Sequence, residues 1–360
     1  MATVPSNCCN KGESQSCACG DATAPKKRSI PPLPPVDTRG DILCRLSDRF
    51  RMNYTVAPGL YCVGSPTEAS PVLVTANYRL TCDVLRKAME KENAWVLVLD
   101  TKGINVWCAA GKGTFGTAEL VGRIARTGLA NFVGHRTLIL PQLGAPGVAG
   151  HEVTKATGFH VVYGPIRASD IPAFLKAGNK ATAAMRTVGF DFAERCVLVP
   201  MELFPALRKF LWVIVGTALV TGLFPEGILF KPALAHSWPI LAAGLTAVLA
   251  GTVAVPLLLP WIPFRGFAAK GALSGAVLLL PLLVATDSLF FGSYFLSCGI
   301  VLFFTAVASY LALNFTGCTP FTNISGVKKE MRFAVPAYLA ACAGAGIFII
   351  LFKLNEWGLL

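Results

Sequence analysis

Apolar positions follow two different patterns along this chain. Up to about residue 205 they come in short runs broken by polar stretches, and from about 206 to 360 they come in five long runs. In the first pattern, residues 71–74, 96–99, 137–140 and 160–163 read as buried strands, because short Val- and Leu-rich runs between turn residues suit a sheet interior. The stretches Leu80–Glu92, Thr117–Thr127 and Ser169–Ala177 read as helices, the second closed by Gly128. Strands and helices in alternation predict an α/β domain, a parallel sheet with helices on its faces. In open sheets of that kind, ligands lie beyond the carboxyl ends of the strands. The segments Thr75 to Thr81, Asn105 to Gly116, Gln142 to Gly150 and Gly164 to Ala168 follow or flank such ends, so they are expected to converge.

The long runs predict an all-α membrane bundle of five transmembrane helices, at about 208–225, 238–260, 266–285, 288–313 and 333–353. Each is near the roughly 20 residues that cross a ~30 Å hydrocarbon core. Residues 1–39 then read as a flexible tail with a stiff proline-rich linker at 30–35, 40–190 as the α/β domain, 191–207 as a linker and 208–360 as the transmembrane domain. Composition agrees, with 54% hydrophobic and 14% charged residues and a mean hydropathy of +0.57; a soluble domain carries about 25% charged residues.

Basic residues predict the orientation. Arg195, Arg208 and Lys209 precede the first span, Arg265 and Lys270 lie at the second connection, and Lys328, Lys329 and Arg332 lie at the fourth. The first connection offers only Lys231 and the third nothing basic. The positive-inside rule then places the protein in the cytoplasmic (inner) membrane as a multi-pass chain, its N-terminal domain cytoplasmic and its C-terminus outside. The polar start Met1–Asn7 lacks the apolar region of a signal peptide, which suits that reading. The net charge of +12 raises nucleic acid as a partner, but no basic run is interleaved with aromatics. Membrane lipid, through its anionic headgroups, is the better match. The spans hold few ionisable groups, chiefly Lys270 and Asp287 near their ends, which favours an anchor and docking surface over a polar transport route.

Twelve cysteines form no regular disulfide spacing, and a reducing compartment predicts free thiols. Cys8, Cys9, Cys17 and Cys19 cluster in the tail, where four thiolates can hold a soft ion such as Hg(II) transiently; the plainer reading is a tail with no fixed ligand geometry. Cys44, Cys62, Cys82, Cys196, Cys298, Cys318 and Cys342 are isolated and read as core or span residues.

The chemistry concentrates in Asn105-Val106-Trp107-Cys108-Ala109-Ala110-Gly111-Lys112-Gly113-Thr114-Phe115-Gly116. One thiol sits among small residues, between a strand and a helix, where backbone N–H groups and the Lys112 ammonium favour a thiolate. A phosphate loop is a poor match, since Val106 stands where a Walker A motif needs Gly and Gly113 follows Lys112 where it needs Ser or Thr. A nucleophilic-cysteine enzyme needs a nearby His, and His135, His151, His160 and His236 bring no local signature. A buried, inert Cys in a Gly-rich turn remains open on spacing alone.

The segment Asn105 to Lys112 matches without a break the signature Asn-(Val/Ile)-Trp-Cys-Ala-(Ala/Gly)-Gly-Lys, and so resembles the HgcA family, the corrinoid proteins of the microbial mercury-methylation pair. Val74–Thr81, Leu140–Val148 and Val162–Pro172 extend the likeness, over roughly residues 40 to 180, to the corrinoid-binding domain of the corrinoid iron–sulfur protein. The resemblance implies a Rossmann-like corrinoid-binding domain holding a cobalamin-type cobalt cofactor, with Cys108 as catalytic residue and lower axial cobalt ligand. It places Asn105, Val106, Trp107, Gly113 and Thr114 at the lower face and Ala109, Ala110, Gly111 and Gly113 as the flat surface under the ring, with Lys112 beside them. Thr75, Asn77, Tyr78, Thr81, Gln142, Leu143, Ala145, Pro146, Gly147 and Gly150 are expected around the ring edge and upper face.

By the same resemblance the chain is a methyltransferase passing a methyl group from methyl-Co(III) to Hg(II), giving methylmercury. Its partners would be a ferredoxin-like protein with two 4Fe-4S clusters as electron donor and, upstream, a methyltetrahydrofolate-linked methyltransferase. No Asp-x-His-x-x-Gly occurs, so a His ligand to cobalt is not expected, and no Cys-x₂-Cys-x₂-Cys run occurs, so no iron–sulfur cluster is expected in this chain. Two other readings stand beside this one, a membrane-bound corrinoid methyl carrier of the acetyl-CoA pathway and a non-enzymatic corrinoid sensor or transport component.

Overall fold

The computed structural model describes residues 29–228, 230–285, 293–322 and 324–360. The tail thiols Cys8, Cys9, Cys17 and Cys19, and Asp287 of the third connection, lie outside them. The N-terminal half opens with helices α1 (Thr38–Leu46) and α2 (Asp48–Arg51). Strands β1 (Gly59–Val63) and β2 (Val72–Ala76) follow, then α3 (Arg79–Ala88), β3 (Ala94–Leu99), α4 (Val106–Lys112) and α5 (Thr117–Thr127). The half closes with β4 (Thr137–Leu140), α6 (Gly150–Thr157), β5 (His160–Tyr163) and α7 (Ile171–Lys176).

The five strands form one sheet in the order β1-β3-β2-β4-β5. β2 to β5 are parallel as expected, but β1 runs antiparallel to β3 and corrects the all-parallel prediction. Period-two alternation divides the sheet between two apolar layers. Val72, Val74, Leu97, Leu99, Leu138 and Leu140 face Leu120 and Ile124 of α5. Leu73, Val96, Val98 and Ile139 face Cys82 and Leu85 of α3 and Phe174 of α7. The chain leaves β2 for β3 on one side and reaches β4 on the other, so the topological switch lies at the carboxyl end of β2.

The proline-rich stretch 30–35 is not a free linker. Leu33 is 1% exposed, its N–H donates to the Cys62 carbonyl at 2.8 Å, and Cys62 N–H donates to Pro31 O at 3.1 Å. Proline has no N–H to offer a further strand, so this segment both pairs with and closes the β1 edge.

The second half holds α8 (Phe192–Gly222), α9 (Phe230–Leu249), which runs through a π turn into α10 (Val255–Leu257), then α11 (Phe267–Ala285), α12 (Tyr294–Asn314) and α13 (Ile324–Glu356). Among the described residues five helices are long and apolar enough to cross a membrane: Phe192–Gly222, His236–Leu257, Phe267–Val284, Tyr294–Gly317 and Ser325–Glu356. The expected linker 191–207 is instead the first half of α8. Asp191 and Glu194 form a capping box, Asp191 Oδ1 accepting from Glu194 N–H at 2.8 Å and Glu194 Oε2 from Asp191 N–H at 3.1 Å. The helix continues past Pro200 and Pro205.

Candidate functional site

The thiol-bearing segment is itself a helix. Asn105 caps α4, its Oδ1 accepting from Cys108 N–H at 2.9 Å, and Gly113 ends it in the left-handed region at φ +80°. Residues of a helix turn about 100° apart, so the small residues do not share one surface. Ala109 and Ala110 are 0% and 6% exposed and pack into the core against the turn Gln142–Gly147. A Cβ on Gly147 would meet the Ala110 Cα at 3.0 Å, which fixes that glycine. The expected surface of Ala109, Ala110, Gly111 and Gly113 is therefore corrected. The alanines seat the helix, while a Cβ on Gly111 or Gly113 would meet nothing within 4 Å. Cys108 is half-buried, and Gly111 and Lys112, three and four residues on, are exposed along the same stripe.

A cavity of about 390 Å³ lies at the carboxyl ends of β2 and β4, where the topology switches. Thr75, Tyr78, Thr81, Asn105, Val106, Trp107 and Leu143, all among the residues expected at the cofactor, line it. Cys108 stands beside this cavity, outside its lining. The lining also includes Leu80, Val84 and Gly164-Pro165-Ile166; this last segment, after β5, was among those expected to converge, though none of its residues was named as a cofactor contact. A Cβ on Gly164 would meet Ile139 Cγ2 at 3.1 Å, so glycine lets this wall approach the sheet.

Other expected contacts are structural. Asn77, 6% exposed, accepts at Oδ1 from Thr101 N–H (3.0 Å), Thr101 Oγ1 (2.8 Å) and Gly103 N–H (3.0 Å), holding the loop that leads into α4. Thr114 Oγ1 lies 3.4 Å from the Ala109 carbonyl and helps close the helix. Gln142 Oε1 accepts from Arg186 Nη1 at 2.8 Å. Ala145 and Pro146 belong to the turn behind α4, and Gly150 begins α6, where a Cβ would meet Val161 Cβ at 3.2 Å.

Among the described residues no group of three or more His, Cys, Asp and Glu could hold a metal ion. Such a site offers a metal fewer than three of these side chains, and the nearby thiols differ in kind. Burial pushes Cys82 up to about 12 and raises Cys44, so both stay protonated at neutral pH. Tyr78 donates its hydroxyl toward Cys44 Sγ at 3.7 Å, and burial raises its phenol too. Cys108 alone of these thiols combines partial exposure with a place on the cavity's helix.

Residues 47–175 match the family model for the CO dehydrogenase/acetyl-CoA synthase delta subunit. The chain is 39% identical over 124 residues to the acetyl-CoA decarbonylase/synthase complex subunit gamma of Methanopyrus kandleri, covering 34% of this chain and 26% of that one. It is 36% identical over 128 residues to the same subunit of Methanocaldococcus jannaschii, covering 35% and 26%. It is 33% identical over 117 residues to the corrinoid/iron-sulfur protein large subunit of Moorella thermoacetica, covering 32% and 26%. The chain thus spans about a quarter of the length of these relatives. The likeness falls on the α/β half, whose sheet carries the cavity and α4.

Proposed function

We propose that the α/β half binds a corrinoid, that Cys108 is its lower cobalt ligand, and that the chain is a methyltransferase delivering a methyl group to Hg(II). The observation that carries the corrinoid reading is a half-buried thiol on a capped helix beside an apolar cavity at the strand ends, in the region similar to a corrinoid/iron-sulfur protein. The residues fit such a group. A broad ring needs open space next to the thiol, and Gly111 and Gly113 leave it.

When bound, a corrinoid would supply cobalt chemistry for methyl transfer, and Cys108 would hold it through its sulfur, a donor that would suit delivery to an electrophilic acceptor such as Hg(II). Asn105 fixes the Cys108 backbone, and the buried Ala109 and Ala110 hold the helix against movement. Hg(II) as acceptor is supported by the unbroken likeness of Asn105 to Lys112 to the HgcA signature. Re-reduction would draw on a ferredoxin-like partner with two 4Fe-4S clusters, and methyl supply on a methyltetrahydrofolate-linked methyltransferase. The five helices would lie in the cytoplasmic membrane, with the α/β half in the cytoplasm and the C-terminus outside.

A methyl carrier of the acetyl-CoA pathway is the second reading, favoured by the names of the relatives. The test is methylmercury formation by the full-length protein, loaded with methylated corrinoid and given Hg(II). Formation that disappears in Cys108→Ala supports the first reading. A loaded protein that transfers methyl to a nickel- or thiol-type acceptor but not to Hg(II) leaves the carrier.

A further inference from the structure

The cavity at the strand ends is too small for a whole corrinoid. Pockets of ~300–1000 Å³ serve drug-sized ligands, and a corrinoid with its nucleotide tail is much larger, whereas this cavity measures about 390 Å³. The remainder must lie across a neighbouring concave surface. One such surface shares two residues with the first cavity, a cleft of about 540 Å³ lined by Trp107 and Leu143 on one side. The opposite side is Val188, Gly189, Phe190, Glu194, Val197 and Leu198, with Pro320 from the connection between α12 and α13. Trp107, Val188 and Val197 are 38%, 44% and 49% exposed there, a largely apolar surface whose one carboxylate, Glu194, pairs with Arg167.

This wall is fastened at both ends. Phe190 packs against Phe315 and Phe321 of the bundle, with ring centroids 6.2 and 5.7 Å apart. Arg186 Nη1 donates to Gln142 Oε1 at 2.8 Å, and Arg167 pairs with Glu194 at 2.7 Å, so the loops after β4 and β5 are tied to the start of α8.

We infer that the first membrane helix is part of the cofactor site: the face of α8 at Val197 and Leu198, with Val188 before it, covers the portion of the corrinoid that the strand-end cavity leaves outside. The bundle is then a wall of the site as well as an anchor. The inference rests on the corrinoid reading, and the experiment separates the two.

Full-length protein in detergent is titrated with hydroxocobalamin, and affinity is read from the visible spectrum with thermal melting alongside. Val197→Asp, which adds an unpaired charge to a cleft whose Glu194 is paired with Arg167, and Val197→Trp, which fills it, should each weaken binding at least tenfold. Ile350→Ser, an exposed α13 position outside the cleft lining, should bind like wild type. Wild-type affinity in Val197→Trp overturns the inference and leaves the corrinoid reading standing. No binding by the wild-type protein overturns both.

Discussion

Polar side chains at the carboxyl ends of the parallel strands either hold backbone, as Asn77 does, or face a cavity, as Thr75 and Tyr78 do. In the bundle, Lys270 donates to the carbonyls of Leu259 and Ile262 at 2.8 and 2.5 Å, Ser309 to that of Ala268 at 2.7 Å, and Thr221 meets Ser237 at 2.8 Å. Its helices also close tightly. A Cβ on Gly271 would meet the Ala308 carbonyl at 2.7 Å and one on Gly275 the Ala308 Cβ at 2.8 Å, the small-residue face that lets membrane helices approach. One half keeps space open next to a thiol, and in the other these groups serve packing. The contrast supports chemistry in the first half and, in the second, support that reaches the site through α8.

The largest test of that contrast is Cys108→Ala. The side chain packs little, so the fold should survive, while methyl transfer should fall at least a thousandfold, about 4 kcal/mol on the barrier. Cys82→Ala, at a thiol that burial keeps protonated, should leave the spectrum of bound corrinoid unchanged. Equal activity in wild type and Cys108→Ala would end the ligand assignment.

Next in size is Asn77→Ala, which strands three buried donors at about 1 kcal/mol or more each. We expect roughly 3 kcal/mol less stability by denaturant unfolding of the α/β half, with Asn77→Asp, which keeps the acceptor, recovering most of it. A loss of corrinoid affinity with full stability would make Asn77 a contact residue instead. Glu194→Ala should cost about 1 kcal/mol through the capping box, since its exposed pair with Arg167 adds little; a shift in melting temperature checks this. Replacing Cys8, Cys9, Cys17 and Cys19 together by Ser should lower methylation under about threefold, less than ~0.7 kcal/mol. A tenfold loss at limiting Hg(II) with normal corrinoid content would make the tail a delivery route.

The sheet was largely legible. β2 to β4 overlap the expected runs because Val- and Leu-rich segments bury both faces, whereas β5, expected as a buried strand, is an edge strand with His160 exposed and Val161 to Tyr163 half-buried. α5 matches Thr117–Thr127 because Gly128 provides its left-handed stop. β1 escaped notice because Gly59-Leu-Tyr-Cys-Val63 is a half-buried antiparallel strand without a continuous apolar run. The segment of α4 was read as a strand-to-helix junction, not as a helix of its own; Gly111 costs about 1 kcal/mol relative to Ala in a helix, and burial of Ala109 and Ala110 and the Asn105 cap offset that. Residues 191–207 were read as a linker, yet α8 runs through them and past Pro200 and Pro205. The duty of Asn77 depends on Thr101 and Gly103 arriving beside it, which local sequence does not encode.

The unbroken course of α8 from its cap at Asp191 has a mechanical consequence. A flexible tether would let the α/β half turn freely against the bundle, whereas a helix gears its heading to it. Adding one residue between Val199 and Ala206 would turn everything upstream by about 100° and lift it by ~1.5 Å. Chain length in this stretch is therefore a phase setting, fixing which side of the α/β half faces the bundle and which is left open.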